Sequence, residues 1–412
     1  MFTIDEIRKA IPGARVVGRG TRVKGVSTDS RSVKPGELFI PIKGERFDGR
    51  KFMPEVLKKG ALVLDVKDGL KALQTLAAYH RSKFNIPVIG VTGSVGKTTT
   101  KEMIAGILAR EMPVLKNEEN FNNEIGVPLT LLRLTKKHRA AVIEMGLQGL
   151  GEIELLARIA RPTIAVVTNI GEAHLQYLKN KSNVARAKAE IFAFLGQKDA
   201  AVINQDDEYY EHLKSKVRSR KSKVVSVGIL EMADVGPAEL TGIKLPLPGE
   251  HNVYDALAAV AVAKILRIKP ASIRAGLENF HPAGWRQEVI NCGNETKIIN
   301  DTYNANPQSM AAGLKVLCAI DRAYGRRVAV LGEMLELGRA ARPAHRRIFQ
   351  LARELCVDKL FVFGRLWPAR ARAEKDKKTL IRKLKKYLRP RDIILVKGSR
   401  GTRMEEVVDA LR

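Results

Sequence analysis

The stretch GVTGSVGKTTT, residues 90–100, decides the fold class of this chain. It follows the apolar run IPVI and opens the helical pattern KTTTKEMIAGILARE, residues 97–111. A glycine-rich turn between a strand and a helix aligns backbone N–H groups with a phosphate, and the helix adds the positive end of its dipole. In the tight form G-x-x-G-K-T found here, Lys97 is expected to reach the β- and γ-phosphates and the Thr98 hydroxyl to bind Mg²⁺. The stretch therefore predicts a nucleotide-binding turn formed by Gly93, Ser94, Gly96, Lys97, Thr98 and Thr99.

Short apolar runs rich in Val and Ile recur on both sides of this turn, and each is followed by a turn and a helical pattern. They occupy residues 86–94, 140–146, 162–171, 200–207, 327–334, 359–364 and 392–399. Runs of this kind that alternate with helices are typical of parallel sheets covered on both faces. The sequence therefore predicts an α/β fold with a central P-loop parallel sheet. Because ligands of such sheets bind beyond the carboxyl ends of the strands, the residues just after each run are candidate site residues.

The chain has 412 residues, which is too long for a single hydrophobic core. One predicted seam lies near residues 83–85, after a helical pattern over 70–81, and another near 282–284, after a helical pattern over 270–279. These seams predict an N-terminal domain of residues 1–84, a central P-loop domain of residues 85–283 and a C-terminal domain of residues 284–412.

The composition, 45% hydrophobic and 28% charged, is typical of a soluble globular protein. The first residues lack the basic and apolar segments of a signal peptide, and no apolar run is long enough for a membrane span, so we expect a cytoplasmic protein. The cysteines Cys292, Cys318 and Cys356 are odd in number and scattered. This argues against a disulfide framework and a structural zinc site, and we expect thiols packed as small hydrophobic groups.

The net charge of +28 attracts anions of any kind, from nucleotides to nucleic acid. Residues 364–391 contain twelve Lys or Arg against two acids, and a second basic cluster, KSKVRSRKSK, spans residues 214–223. Neither cluster has the interleaved aromatic side chains of a single-strand binding platform. We interpret both as solvated helix faces and expect no nucleic-acid partner.

Three further side chains are candidates for metal chemistry: Glu144 in VIEMG, His174 in NIGEAHLQYL and Lys188 in ARAKAEIF. Glu144 ends a predicted strand, where a carboxylate can meet Mg²⁺ beside the glycine-rich turn. Taken singly, each has an ordinary alternative: a solvated glutamate, a structural histidine and a surface lysine. Only together with the turn do they indicate a metal-dependent site.

Several of these segments resemble the Mur ligase family. The segments TGSVGKTTTKE, IEMG, N-x-x-x-A-H and AKAEI resemble the ATPase domain that the family shares. Others are together typical of its MurF type: STDSRSVKPGELF, KGERFDG, NFNNEIGVPLT, NDTYNANPQSM, VLGEMLELG and KGSRGTRME. The likeness runs almost from end to end.

The resemblance implies an ATP-dependent ligase of cell-wall precursor synthesis. We expect a monomer, although the sequence does not fix the oligomeric state. Its substrates would be a UDP-linked muramoyl tripeptide, whose carboxylate is activated as an acyl phosphate, and D-alanyl-D-alanine. It also implies a UDP-binding N-terminal domain, a P-loop ATPase domain and a Rossmann-like C-terminal domain that closes over the site. The implied cofactors are ATP and two Mg²⁺ ions, with a carbamate on Lys188 as an anionic oxygen ligand.

The resemblance also implies roles for matching positions. The implied metal ligands are Thr98, Glu144, His174 and Lys188. Catalysis is implied for Lys97, Lys188, His174 and Arg286. Contacts with ATP beyond the glycine-rich turn are implied for His251, Asn252, Arg286 and Asp301. The substrate contacts would come from Ser30 and Arg31 at the UDP end, from Asn122 and Asn123, and from Asn304 and Asn306 near the dipeptide.

The sequence departs from the family pattern at Asp255, where Asn is usual, at Arg50, where His is usual, and at Trp285, which precedes Arg286. Two alternatives stay open. One is a related ligase with another amine or acceptor, such as an enzyme of pseudomurein synthesis. The other is a nucleic-acid-binding P-loop ATPase, suggested by the charge, which would require salt-dependent binding to DNA or RNA.

Overall fold

The computed structural model describes residues 2–412 apart from residues 45, 46, 119, 283, 294 and 356. Cys356, residues 45 and 46 of KGERFDG, and Ala283 at the second predicted seam therefore lie outside the described residues. Within the described ranges, no helix combines the length and apolarity needed to cross a bilayer.

The N-terminal part forms a four-stranded mixed sheet beside a small two-stranded one. The larger sheet has the order β2-β6-β5-β4, and β1 pairs with β3. The strands are β1 (Phe2–Thr3), β2 (Arg15–Val17), β3 (Arg22–Val23), β4 (Val26–Ser27), β5 (Leu38–Phe39) and β6 (Leu62–Asp65). The helices are α1 (Ile4–Ala10), α2 (Met53–Lys58) and α3 (Gly69–Ser82). Helix α3 begins where the Asp68 side chain accepts a hydrogen bond from the Lys71 N–H, as an N-cap residue does.

Helix α3 also joins this part to the centre of the molecule. The buried guanidinium of Arg81 donates to the carbonyl oxygens of Ala160 and Arg161 in the central part. One hydrophobic cluster runs through both parts, from Leu38 and Leu62 to Ile143 and Val167. The N-terminal and central parts therefore share a core.

The central part is a six-stranded parallel sheet in the order β12-β11-β10-β7-β9-β8. Its strands are β7 (Val88–Thr92), β8 (Val114–Lys116), β9 (Ala140–Glu144), β10 (Ile164–Val167), β11 (Ala200–Asn204) and β12 (Lys223–Val227). Its helices are α4 (Lys97–Leu108), α5 (Gly126–Leu131), α6 (Glu152–Ala160), α7 (Leu175–Leu178), α8 (Lys181–Ala189), α9 (Tyr210–Arg218), α10 (Glu250–Ile265) and α11 (Pro270–Glu278). Helices cover both faces, because β7, β9, β10 and β11 are buried along their whole length. The alanine-rich α10 packs along α4, the helix that follows the glycine-rich turn.

The C-terminal part is a five-stranded sheet in the order β13-β14-β17-β15-β16, parallel except for β13. The strands are β13 (Glu288–Asn291), β14 (Lys297–Asp301), β15 (Arg327–Leu331), β16 (Lys359–Val362) and β17 (Ile393–Lys397). The helices are α12 (Pro307–Ala319), α13 (Ala341–Glu354), α14 (Lys377–Tyr387) and α15 (Glu405–Leu411). One hydrophobic cluster lies on each face of the sheet.

The α/β prediction is confirmed, since all seven apolar runs contain parallel strands and the helical patterns next to both seams are helices α3 and α11. The predicted runs did not include β8, β12, β13, β14 or the short N-terminal strands. Strand β12 begins at Lys223, the last residue of the basic cluster 214–223. Because charged residues precede its apolar residues, the sequence pattern did not predict this strand. The rest of that cluster is largely exposed, as predicted for a solvated face.

Candidate active site

A cavity of about 890 Å³ lies where the carboxyl ends of the central strands face the C-terminal part. Most of the predicted site residues line it. From the central part these are Ser94, Gly96, Lys97, Thr98, Thr99, Asn122, Asn123, Glu144, His174, Lys188, His251 and Asn252. From the C-terminal part they are Arg286, Asp301, Asn304 and Asn306. The predicted residues therefore meet beyond the carboxyl ends of the parallel strands, which is where ligands of such sheets bind.

The glycine-rich turn takes its shape from two glycines and from the end of β10. Gly93 and Gly96 have φ of 154° and 85°, and a Cβ on Gly93 would lie 1.8 Å from the Thr168 Oγ1. The Val95 N–H donates to the Asn169 Oδ1 at 3.0 Å, and the Ser94 N–H donates to the Asn169 carbonyl. This arrangement leaves the helix N-terminus at Lys97 open to the cavity, as an anion site requires.

Lys97 lies across the turn, where its Nζ donates to the Gly93 carbonyl oxygen at 2.7 Å. Desolvation lowers the pKa of Lys97, while the nearby Glu144 carboxylate opposes that shift. An arriving phosphate would replace the single neutral acceptor with an anion. The Lys97 ammonium is therefore already directed into the turn where a phosphate would lie.

Glu144 is fixed at the end of β9, with only 2% of its surface exposed. Its Oε2 accepts from the Thr98 hydroxyl at 2.7 Å and its Oε1 from the Asn122 Nδ2 at 2.8 Å. The Glu144 N–H donates to the Asn117 Oδ1, which holds the strand end in place. A buried carboxylate beside a hydroxyl is the oxygen environment that Mg²⁺ prefers.

Lys188 is buried on α8, with 1% of its surface exposed. Within the part of the chain that the structure describes, its Nζ has neither a hydrogen-bond acceptor nor an acidic partner. Desolvation, reinforced by the charge of Lys97, brings the pKa of Lys188 well below its usual value. The environment therefore disfavours the charged ammonium form of Lys188.

His174 follows β10 and takes a left-handed backbone conformation with φ of 55°. Its Nδ1 lies 2.7 Å from the Glu336 Oε2, which comes from the C-terminal part. The described residues contain no cluster of three or more His, Cys, Asp or Glu side chains placed to hold a metal ion. A cation site here would therefore need an oxygen donor from Lys188 or from a ligand.

The C-terminal wall carries the other predicted contacts. The guanidinium of Arg286 stacks 3.7 Å from the centre of the Tyr303 ring. The Lys397 Nζ donates to the Asp301 Oδ2 at 2.6 Å. This leaves Arg286 as a cation on the cavity wall while the charge of Asp301 is already compensated.

His251 and Asn252 are joined to the C-terminal part through Gln287. The Gln287 Nε2 donates to the His251 Nε2 at 2.7 Å, and the Gln287 Oε1 accepts from the Asn252 Nδ2 at 2.9 Å. Burial lowers the pKa of His251 to about 4. The imidazole is therefore neutral, with its proton on Nδ1.

Asp255 stands one helical turn after His251, and its role was not predicted. Its Oδ1 accepts from the Thr100 hydroxyl at 2.9 Å, whereas its Oδ2 is buried without a hydrogen-bond partner among the described residues. Desolvation raises the pKa of Asp255 to about 8. The side chain is therefore largely protonated at neutral pH.

Sequence reasoning also missed Gln287, Glu336 and Lys397. A signal existed for two of them, because Lys397 lies near the end of one predicted run and Glu336 closely follows another. Nothing in the sequence marks Gln287 as the link between two parts of the chain.

Ser30, Arg31 and Gly93 are not among the residues that line the cavity. Arg31 is exposed and forms an ion pair with Asp29 at 2.8 Å, which holds the pKa of Asp29 at about 2. The Ser30 carbonyl accepts from the Lys59 Nζ at 2.7 Å. Their predicted contact with the UDP end stays a prediction.

Comparison with known proteins places this site in a family. Three domain profiles match: the Mur ligase family catalytic domain over residues 22–115, the Mur ligase middle domain over 91–263, and the Mur ligase glutamate ligase domain over 285–400. The chain belongs to the Mur ligase family, and its resemblance to the MurF type is confirmed by the relatives described next.

The UDP-N-acetylmuramoyl-tripeptide–D-alanyl-D-alanine ligase of Bacillus subtilis is 37% identical over 452 residues, covering 99% of this chain and 98% of that protein. A crystal structure of MurF from Acinetobacter baumannii superimposes with a TM-score of 0.92 at 32% identity, covering 100% of this chain and 98% of that one. The MurF ligase of Thermotoga maritima, solved in complex with ADP, gives a TM-score of 0.81 at 26% identity, covering 94% and 97%. A pseudomurein peptide ligase type C from Methanothermus fervidus gives a TM-score of 0.62 at 21% identity over 89% and 86%, a likeness of fold alone.

Proposed function

We propose that this protein is an ATP-dependent ligase that joins D-alanyl-D-alanine to a UDP-N-acetylmuramoyl-tripeptide. The observation that carries the proposal is the meeting, in one cavity, of Lys97 from the glycine-rich turn, buried Glu144 and Arg286 from the C-terminal part. The relatives of similar length and the ADP complex of the Thermotoga maritima protein support it.

The chemistry explains why these side chains belong together. A carboxylate does not acylate an amine, so a carboxylate oxygen of the tripeptide first attacks the γ-phosphorus while the bond to ADP breaks. The two reacting groups are both anionic, and the cations Lys97 and Arg286 lower the cost of their approach. The amine of D-alanyl-D-alanine then attacks the acyl carbon, phosphate leaves, and the amine proton passes to solvent.

Magnesium ions would be held by Thr98, Glu144, His174 and a carbamate on Lys188. When bound, they would neutralise negative charge shared by the nucleotide and the substrate carboxylate. The carbamate is supported by the environment of Lys188, a buried amine with a strongly lowered pKa. An uncharged amine can add to carbon dioxide and release a proton, and the product would supply a second anionic oxygen donor in addition to the Glu144 carboxylate.

Closure of the C-terminal part gives the acyl phosphate protection from water. The Asn306 Nδ2 donates to the Ser94 carbonyl oxygen across the cavity at 3.4 Å, so the two walls touch beside the phosphate turn. The proposal includes domains of residues 1–84, 85–283 and 284–412, with the UDP end at Ser30 and Arg31. It also includes Asn304 and Asn306 beside the dipeptide, and a cytoplasmic location where ATP is supplied.

The test is ADP release with a panel of substrates. We expect release that requires both UDP-N-acetylmuramoyl-tripeptide and D-alanyl-D-alanine, and little with single amino acids or with other UDP-linked acceptors. Efficient release with another amine or acceptor would favour the related ligases. Release stimulated by DNA or RNA in the absence of these substrates would overturn the proposal.

A further inference from the structure

The loop that carries His174 is held by the C-terminal part at several points. The Glu336 carboxylate bonds the His174 Nδ1 at 2.7 Å, and the Glu336 carbonyl accepts from the Gln176 N–H at 2.9 Å. On the same loop, Glu172 forms an ion pair with Arg347. Glu336 therefore forms hydrogen bonds with the loop through both its side chain and its backbone.

The backbones of both partners are constrained. His174 has φ of 55° and Glu336 has φ of 63°. Residues other than glycine rarely adopt this left-handed backbone conformation. Such conformations persist only where the surrounding structure determines them, and they cluster at ligand sites. Their occurrence on both sides of one hydrogen bond indicates that the contact is specified by the fold.

The contact selects one nitrogen of the imidazole. The Glu336 carboxylate accepts from the Nδ1 N–H, so Nε2 is the ring nitrogen left for a ligand while the side chain lines the cavity. Histidine ligands of metal ions commonly donate their other N–H to a carboxylate, which fixes the tautomer and the ring orientation. Here the carboxylate follows β15 and the histidine follows β10, so the two belong to different sheets.

We propose that Glu336 is a positioning residue that makes the orientation of the His174 ring toward a cation depend on contact between the C-terminal and central parts. The inference rests on the proposed function, because it concerns the cation of that site. By thermodynamic linkage, closure raises the affinity for a divalent cation at His174, and the bound cation raises the equilibrium constant for closure by the same factor. The cation site is therefore completed only when the cavity is closed, which suppresses phosphoryl transfer to water in the open protein.

The test measures Mn²⁺ binding to the full chain by electron paramagnetic resonance, in the presence of a non-hydrolysable ATP analogue. We expect Glu336→Ala to weaken the affinity for Mn²⁺ roughly tenfold to a hundredfold. Glu336→Gln should restore most of it, because its amide oxygen still accepts from Nδ1. The matched control is Glu172→Ala, which removes the ion pair with Arg347 on the same loop and should leave the affinity within about twofold, the scale expected of an exposed ion pair.

A double-mutant cycle separates positioning from general loosening. In a His174→Ala background, Glu336→Ala should cause no further loss of Mn²⁺ affinity. Small-angle scattering should also show that Mn²⁺ compacts the wild-type protein with the ATP analogue, and compacts Glu336→Ala less at the same concentration.

Wild-type affinity in a correctly folded Glu336→Ala variant would overturn the inference. If Glu336→Ala weakened Mn²⁺ affinity equally in the His174→Ala background, the inference would also be wrong. It would likewise be wrong if His174→Ala bound Mn²⁺ as tightly as the wild type. If ligation of D-alanyl-D-alanine fails while these Mn²⁺ results hold, the proposed function is wrong and the role of Glu336 stands.

Discussion

A Cβ on Gly96 would lie 2.1 Å from the Oδ1 of Asp255, so the Asp255 side chain on helix α10 packs directly against the glycine-rich turn. Gly96 also has φ of 85°, which alone would disfavour any other residue. The nucleotide turn is thus shaped from two sides: by the end of β10 and by an acidic side chain that belongs to neither β7 nor α4.

Gly96→Ala should therefore disrupt nucleotide binding. Backbone strain at positive φ costs about 1 to 2 kcal/mol, and the clash with Asp255 must in addition displace the turn or helix α10. We expect the affinity for ADP, measured by calorimetry, to fall at least tenfold. Gly151→Ala is a matched control, because Gly151 has the same φ of 85° but its Cβ would meet nothing within 4 Å. Equal ADP affinity in the two variants would contradict this account.

Asp255 should make stability depend on pH. Its folded pKa is about 8 against an ordinary value of 3.8, so between these values the folded protein binds a proton that the unfolded chain has lost. The contribution of Asp255 to the free energy of unfolding is therefore greatest below about pH 4 and falls as the pH rises. The slope is at most about 1.4 kcal/mol per pH unit, and the contribution becomes constant above about pH 8.

Asp255→Asn removes this dependence while keeping the shape of the side chain. The free energy of unfolding of the variant, relative to wild type, should rise steadily from pH 4 to pH 8 in urea titrations. Parallel pH profiles of the two proteins would show that the carboxyl ionises normally in the folded state.

Lys97→Ala should abolish ligation without unfolding the protein. Among the described residues, Lys97 donates only to the Gly93 carbonyl oxygen, whereas in the reaction it would face the transferred phosphoryl group. We expect kcat to fall by roughly 10²- to 10³-fold or more, as for other lost stabilisers of transition-state charge. Substrate-dependent ADP release is the measurement and thermal unfolding is the control. Turnover near the wild-type rate would show that Lys97 has no role in the reaction.

Lys188→Ala should lose activity that short carboxylic acids partly restore. The variant leaves an apolar space in place of the proposed carbamate, and acetate or propionate can bring an anionic oxygen into it. Lys188→Arg is a useful comparison, because a guanidinium keeps its charge and does not form a carbamate. It should be inactive and should not respond to the acids. Full activity of untreated Lys188→Ala would refute the role.

Much of the fold and site could be predicted from the sequence, because local patterns carry it. Buried parallel strands are continuous apolar runs, and Glu144 and His174 follow two of them. Lys188 needed the family resemblance, since its helix alone does not distinguish a buried lysine from an exposed one. The links made by Gln287 and Glu336 join residues far apart in the chain, and only the packing of one sheet against another creates them. The protonated state of Asp255 likewise arises from burial, which no local pattern reveals.

The buried guanidinium of Arg81 has a mechanical consequence. Separating the N-terminal sheet from the central sheet would remove the carbonyl acceptors of that cation and expose a continuous apolar interior, so separation of these two sheets is costly. The last sheet is attached differently, because its contacts with the loop bearing His174 are polar ones from Glu336 and Arg347.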